Sequence, residues 1–87
     1  MSYMFSCCEN LSKLNLSSFN TNNVIDMSEM FSSCKNLSEL NLSSFNTNNV
    51  NNMRGIFYSC LNLNLVKINK LNIKKFKEVI DVSILKI

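Results

Sequence analysis

The sequence predicts an α/β solenoid, a fold in which short repeats stack in parallel and each repeat contributes one short strand and one short helix. Three observations lead to this prediction. Similar residues recur every 26 positions, leucines hold fixed places within each copy, and other apolar residues in the copy follow helical spacing. The chain has 87 residues, which is the size of one small domain. We therefore treat residues 1–87 as a single repeat domain.

The 26-residue period divides the chain into a first repeat (residues 1–26), a second repeat (27–52) and a degenerate third repeat (53–78). Methionines, phenylalanines, cysteines and leucines return at this offset: Met1, Met27 and Met53; Phe5, Phe31 and Phe57; Cys8, Cys34 and Cys60; Leu11, Leu37 and Leu63. The first two repeats differ only at the pairs Tyr3/Glu29, Cys7/Ser33, Glu9/Lys35, Lys13/Glu39, Ile25/Asn51 and Asp26/Asn52. A period of about 20 to 29 residues with leucines at fixed offsets is typical of leucine-rich repeats.

The strand of each repeat is predicted from an L-x-x-L-x-L core. The cores are Leu11, Leu14 and Leu16; Leu37, Leu40 and Leu42; and Leu63, Val66 and Ile68. Residues that alternate along a strand point to opposite faces of a sheet. We therefore expect the last two apolar positions of each core to point inward and their neighbours to point outward.

The helix of each repeat is predicted from apolar residues spaced by three, three, one and three. Between the first two strands they are Val24, Met27, Met30, Phe31 and Cys34, which would share one face of a helical turn. Proline is absent and Gly55 is the only glycine, so asparagine and serine must make the turns between elements.

Two sequence features predict how the repeats stack. Glu9 is replaced by Lys35 and Lys13 by Glu39, so stacking in register would place opposite charges side by side. At the other end, Val82, Leu85 and Ile87 repeat the strand spacing at an offset of only 19 from the third repeat, which predicts a shortened capping strand within residues 79–87. The first repeat begins inside its predicted helix with no capping strand before it. We expect this open end to favour end-to-end self-association.

The second repeat also resembles a known family. Its pattern, M-x-x-M-F-x-x-C-x-x-L-x-x-L-x-L-S-x-F-x-T-x-x-V from Met27 to Val50, is similar to the repeat of the BspA-like leucine-rich repeat surface proteins, and the similarity covers roughly residues 1–63. This resemblance implies an irregular leucine-rich solenoid, a cell-surface or extracellular location, and adhesion or binding to proteins of a host or its extracellular matrix. Residues 1–8 have no pattern of a signal peptide.

No catalytic, metal or cofactor site is predicted. Cys8, Cys34 and Cys60 follow a phenylalanine at the same repeat position, which favours small buried hydrophobic residues. Their spacing of 26 and the absence of histidine do not fit a zinc site, and no acidic residue has a partner for acid–base catalysis. Cys7 has a serine as its counterpart, so we expect it to be exposed. The sequence therefore predicts a protein that is not an enzyme.

The outward strand positions are the candidate binding surface, which we call the strand face. It consists of Lys13, Asn15, Ser17, Glu39, Asn41, Ser43, Leu65 and Lys67. The leading hypothesis is protein–protein interaction or adhesion through this face. The alternative is a structural spacer or a truncated repeat fragment, in which these residues are merely solvated. Lys74, Lys75 and Lys77 are interpreted as the solvated side of a helix, so no nucleic acid is expected as a partner, and no apolar run is long enough to span a membrane.

Overall fold

The computed structural model describes residues 1–86 and shows an α/β arrangement around one parallel sheet. In chain order the elements are β1 (Lys13–Asn15), β2 (Glu39–Leu42), β3 (Leu65–Ile68), α1 (Ile73–Lys77) and β4 (Leu85–Lys86), with 3₁₀ turns at Lys70–Asn72 and Val82–Ile84. The strands lie in the order β1-β2-β3-β4. Ile87 and the side chain of Val82, both part of the predicted capping strand, lie outside the described residues.

The register of the sheet follows the sequence repeat. Lys13 pairs with Glu39 and Glu39 with Leu65, so β1, β2 and β3 are parallel neighbours at an offset of 26. The fourth strand pairs Leu85 with Val66, which is the offset of 19 found in the sequence. The predicted parallel strands and their pairing are therefore confirmed.

The core lies between the sheet and the turns on its opposite side. Leu16, Leu42 and Ile68 point inward from equivalent positions and are buried. Behind them, phenylalanine rings form one column: the ring centroids of Phe5 and Phe31 are 5.7 Å apart and those of Phe31 and Phe57 are 5.9 Å apart. A fully buried phenylalanine contributes about 1.5–3 kcal/mol of stability. The column therefore holds consecutive repeats together through their largest side chains.

The helix predicted around Met27, Met30 and Phe31, and at the equivalent positions of the other two repeats, is wrong: residues 28–33 form turns, and so do their counterparts. Glu29 and Ser33 have φ angles of 52° and 61°, which a right-handed helix does not allow. The backbone N–H of Phe31 donates across to the carbonyl of Ile56 at 3.0 Å instead of to its own repeat. The apolar face was nevertheless identified correctly for Met27, Met30, Phe31 and Cys34, which are fully buried, whereas Val24 is only half-buried.

The one α-helix in the described part of the chain is α1, which closes the end of the sheet beside β4. Phe76 of α1 is buried and continues the aromatic column, with its ring centroid 6.2 Å from that of Phe57. Lys75 Nζ donates to the carbonyl of Val50 at 2.6 Å and also to that of Thr47. Only Lys74 and Lys77 are exposed, so the interpretation of all three lysines as a solvated face was wrong for Lys75.

The predicted asparagine turns are confirmed, but the predicted serine turns are not, because the other side chains that close such turns in the described residues are aspartates, Asp26 and Asp81. In each case the side-chain oxygen accepts the backbone N–H two residues later, over 2.9 Å from Ser17 to Asn15 and 3.0 Å from Asn22 to Asn20. The same turn recurs at equivalent positions in the second repeat, where Asn41 and Asn46 accept from Ser43 and Asn48. Such side chains replace the glycine or proline that a tight turn otherwise requires.

Candidate functional site

The structure brings most of the strand face together in one shallow depression. Lys13, Glu39 and Leu65 form one row across β1, β2 and β3, and Asn15, Asn41 and Lys67 form the next row. These six residues, with Leu14 and Leu40, line a depression of about 300 Å³ that is open to solvent. Ser17 and Ser43 follow their strands and lie outside this depression. The two serines are therefore the part of the predicted face that the structure does not bring to the same place.

Oppositely charged side chains of the first and second repeats pair at two positions. Lys13 Nζ lies 3.2 Å from Glu39 Oε2, and Lys35 Nζ lies 3.9 Å from Glu9 Oε1. The side chains of Lys13 and Glu39 are 73% and 43% exposed, so water screens the pair and it contributes only about 0–1 kcal/mol. The charge pairing predicted from the repeat differences is confirmed, and its effect is mainly on register.

Several asparagine side chains near the strand face bind the backbone, either of their own turn or of the preceding repeat. The side-chain oxygens of Asn15 and Asn41 each accept the backbone N–H of the serine two residues on, at 2.9 and 3.0 Å. Asn36 Nδ2 donates to the carbonyl of Glu9 at 2.7 Å, and Asn62 Nδ2 donates to that of Lys35 at 2.8 Å. These side chains thus have structural partners, and on Asn15 and Asn41 the amide nitrogen remains for an external contact.

The strand face becomes basic toward its last strand. Lys67 pairs with Lys86 across β3 and β4, and both residues are exposed. The strand face was predicted from the 26-residue repeats alone and so left out Lys86, although the capping strand predicted at the offset of 19 places Lys86 between Leu85 and Ile87. The structure therefore adds this lysine to the row formed by Asn15, Asn41 and Lys67.

The burial predicted for Cys8, Cys34 and Cys60 is confirmed for Cys34 but is wrong for Cys8 and Cys60, which are only half-buried. All four are free thiols; Cys34 is fully buried and Cys7 is exposed. The thiol of Cys34 donates to the carbonyl of Phe5, and that of Cys60 donates to the carbonyl of Phe31, each at 3.0 Å. Burial raises the pKa of Cys34 and raises that of Cys60 to about 11. Protonated thiols that donate to a carbonyl of the preceding repeat are poor nucleophiles.

A second depression, on the side of the turns, was missed by the sequence analysis. We call it the Gly55 groove; its volume is about 480 Å³ and its lining residues are Tyr3, Ser28, Glu29, Asn52, Arg54, Gly55 and Tyr58. The hydroxyl of Tyr3 donates to Glu29 Oε2 at 2.6 Å, and this bond raises the pKa of the Tyr3 phenol. The sequence indicates the groove at one position of the repeat, which is occupied by Tyr3 in the first repeat, Glu29 in the second and Gly55 in the third.

Neither depression contains a recognisable metal site. Across residues 1–86 there is no group of three or more cysteine, aspartate or glutamate side chains placed to hold a metal ion. Within the same residues, no helix has the length and apolar character needed to cross a membrane.

Comparison with known proteins assigns the chain to a family without assigning an activity. The family model described as "Mycoplasma protein of unknown function, DUF285" matches residues 1–83, which is nearly the whole chain. No curated protein and no solved structure matches it. Because the match covers residues 1–83, the chain belongs to this DUF285 family.

Proposed function

We propose that this chain is a non-catalytic module of an irregular leucine-rich solenoid, and that it binds a protein partner through the strand face as part of a cell-surface protein. One observation carries the proposal. Six of the eight residues predicted for this face lie in register on three neighbouring strands and line one open depression. The partner class, proteins of a host or its extracellular matrix, rests on the resemblance of the repeat to BspA-like surface proteins.

The solenoid part of the proposal is supported by hydrogen bonds that repeat outside the sheet. The N–H groups of Phe5 and Phe31 donate to the carbonyls of Met30 and Ile56 at 2.8 and 3.0 Å. The first repeat thus bonds to the second, and the second to the third, on the turn side as well as on the strand side. Stacking of this kind is how a repeat too small to bury its own apolar residues gains a core.

The chemistry of the strand face suits a protein partner better than a small molecule. The depression is shallow and open, whereas small-molecule sites bury most of their ligand in a cleft. It presents an exposed Lys13–Glu39 ion pair beside the half-buried Leu65 and the exposed Lys67. Mixed charged and apolar groups on a flat surface are typical of protein interfaces, in which a polar rim surrounds an apolar contact.

The test is binding of the folded chain to a panel of immobilised extracellular-matrix proteins by surface plasmon resonance. A triple variant, Lys13→Ala, Glu39→Ala and Lys67→Ala, should lose at least about tenfold in affinity, which corresponds to about 1.4 kcal/mol. The matched control is Glu9→Ala, Lys35→Ala and Lys77→Ala, which removes the same charges from exposed positions outside the depression. Unchanged binding by the first triple variant would reject the strand face as the site.

A structural spacer is the second candidate, and the hydrogen bonds of the asparagines favour it. Asn15 and Asn41 use their side-chain oxygens to close turns, so these outward positions have a structural task without any partner. A spacer predicts that neither triple variant binds differently from the parent chain and that none of the three binds any matrix protein. It also predicts that inserting one more 26-residue copy lengthens the molecule without changing its binding.

A further inference from the structure

The Gly55 groove gathers the residue types that the rest of the chain lacks. The sequence contains one glycine, one arginine and two tyrosines, and all of them line this groove: Tyr3, Arg54, Gly55 and Tyr58. Both tyrosines are more than half exposed, at 57% and 68%. Tyrosine and arginine are the side chains most enriched at the energetic centres of protein interfaces.

The groove exists because its sequence departs from the repeat. At the position where the first two repeats carry Tyr3 and Glu29, the third carries Gly55. A Cβ atom at Gly55 would lie 3.0 Å from Glu29 Cγ, closer than an ordinary contact, so glycine lets the Glu29 side chain lie against the backbone that forms the floor. Ser2 and Ser28 correspond to Arg54, and Ser6 and Ser32 correspond to Tyr58, so small side chains become large ones at the walls. None of these changes is needed for stacking, since the first two repeats stack without them.

Of the two charged side chains in the groove, Glu29 has a side-chain partner among the described residues and Arg54 does not. The Glu29 carboxylate accepts the hydroxyl of Tyr3, whereas Arg54 is exposed and forms no ion pair with any described residue. Glu78 lines the adjoining depression together with Arg54, but the two charged groups are not within 4.0 Å of each other.

The backbone of the groove adds a second open donor. The N–H groups of Tyr3 and Glu29 donate to carbonyls of the following repeat, those of Ser28 and Arg54, at 3.1 and 2.9 Å. The equivalent N–H of Gly55 donates to no residue that the structure describes, and it points away from the second repeat, because the carbonyl of the same trans peptide accepts from Glu29. A cationic side chain and an adjacent backbone N–H, both without an acceptor, are complementary to a carboxylate.

We propose that the Gly55 groove binds an extended acidic peptide segment of a protein partner. An aspartate or glutamate of the segment pairs with Arg54, its backbone lies over Gly55, and its neighbouring side chains pack on the rings of Tyr58 and Tyr3. The free oxygen of the Glu29 carboxylate accepts a backbone N–H of the segment. This surface is separate from the strand face, so the proposal does not depend on the function proposed for that face.

The probe is a random dodecapeptide library displayed on phage and selected on the immobilised folded chain. Enriched sequences are synthesised with each acidic residue and, as a matched control, with its amide in the same place. Binding is followed by intrinsic tyrosine fluorescence, which reports on this groove because both tyrosines of the chain line it. The expected peptides contain aspartate or glutamate, and the amide versions should bind at least about tenfold more weakly.

Variants assign the binding to the groove. Arg54→Glu should weaken the acidic peptides by at least about tenfold, while Lys77→Glu, which makes the same charge change at an exposed site on α1, should change binding less than about twofold. Far-ultraviolet circular dichroism checks that both variants fold. The strand-face triple variant should retain peptide binding. If it loses binding while Arg54→Glu does not, the peptides occupy the strand face and the groove proposal fails.

Two further outcomes overturn the proposal. The first is that selection enriches no peptide, or enriches peptides without an acidic residue. The second is concentration-dependent dimerisation in sedimentation velocity that Arg54→Glu abolishes, since this would show that the groove holds a second copy of the chain.

Discussion

The first and second repeats have nearly the same sequence, yet they are buried to very different degrees. Phe31, Cys34 and Leu37 are fully buried, whereas their counterparts Phe5, Cys8 and Leu11 are only partly buried. The second repeat lies between the first and the third, while the first has a neighbour on one side only. Burial in this molecule is therefore a property of the neighbours that a repeat has, and not of the residues within it.

This difference teaches where the stability of the domain resides. In stacked repeats each unit contributes a weak intrinsic term and a larger interface with its neighbours. The second repeat has two such interfaces, including ring contacts from Phe31 to both Phe5 and Phe57. The same substitution made in the two repeats should thus have unequal effects wherever packing decides the outcome, and equal effects wherever local backbone geometry decides it.

The largest inequality is expected at the phenylalanine column. Phe31→Ala should cost about 3–5 kcal/mol of unfolding free energy, because the cavity it leaves is enclosed by both neighbouring repeats. Phe5→Ala should cost at most about half as much, since the Phe5 ring is only partly buried. Urea denaturation followed by circular dichroism measures both.

If Phe31→Ala does not fold, Phe31→Leu and Phe5→Leu give the same comparison with smaller losses. Equal losses at the two positions would contradict the view that neighbours set the burial of each repeat.

The first two repeats should differ in the same way in the reaction rates of their cysteine thiols. In a Cys7→Ser background, Cys34 should react with iodoacetamide at least about tenfold more slowly than Cys8, because its thiol is fully buried and its pKa is raised. Mass spectrometry of tryptic peptides measures the two rates. Rapid modification of Cys34 in the folded state would contradict its burial, and the rates of the two thiols should converge in urea.

The raised pKa of Cys60 adds a pH dependence with a defined sign. Its pKa moves from 9.0 to about 11 on folding, so the folded state holds the proton more tightly than the unfolded state. The stabilisation is complete below pH 9 and is lost as the pH rises toward 11. Cys60→Ser should flatten this part of the stability curve.

Backbone strain at a positive φ should lower the stability of the fold equally in the first and second repeats. Cys7 and Ser33 occupy equivalent turn positions, and both have a φ of 61°, a conformation that costs a non-glycine residue about 1–2 kcal/mol. Cys7→Gly and Ser33→Gly should each stabilise the fold by about 0.5–1 kcal/mol after the greater freedom of glycine in the unfolded chain is subtracted. Thermal denaturation checks both variants.

The alanine variant at each of these positions is the control, since it keeps the strain and should give no gain. A gain confined to the buried repeat would show that side-chain packing, and not φ, limits these turns.

The sequence predicted the sheet better than the turns, and the reason is physical. A parallel register needs only a constant offset, and the identical leucines of the first two repeats supply it directly. The spacing of Met27, Met30 and Phe31 is compatible with a helix, but it is equally compatible with turns whose direction is reset by a positive φ. The positive φ angles of the second repeat are at Glu29 and Ser33, and neither glutamate nor serine is a residue type that indicates a positive φ in a sequence. Of the equivalent residues in the third repeat, Gly55 is the one that does.

The candidate sites were predictable to different extents for a related reason. The rows of the strand face follow from alternation and from the 26-residue offset, so six of its residues were found together as predicted. The Gly55 groove depends on a glycine where the earlier repeats have a tyrosine and a glutamate, and on Arg54 and Tyr58, which replace serines. Such positions are the hardest to identify from a repeat, because they are the positions at which the repeats differ.

The smallest effect is expected at the ion pairs between the first two repeats. Lys13→Glu should destabilise the chain by about 0.5 kcal/mol, because it places two carboxylates in adjacent positions across β1 and β2. The double variant Lys13→Glu with Glu39→Lys should recover this loss, giving a coupling of about 0.2–1 kcal/mol in a double-mutant cycle. The same cycle at Glu9 and Lys35, whose charged atoms are 3.9 Å apart and not 3.2 Å, should give a smaller coupling. Both couplings should fall as salt is added, since exposed charges are screened. A coupling that persists in high salt would mean that the contact across the two repeats comes from the aliphatic parts of these side chains and not from their charges.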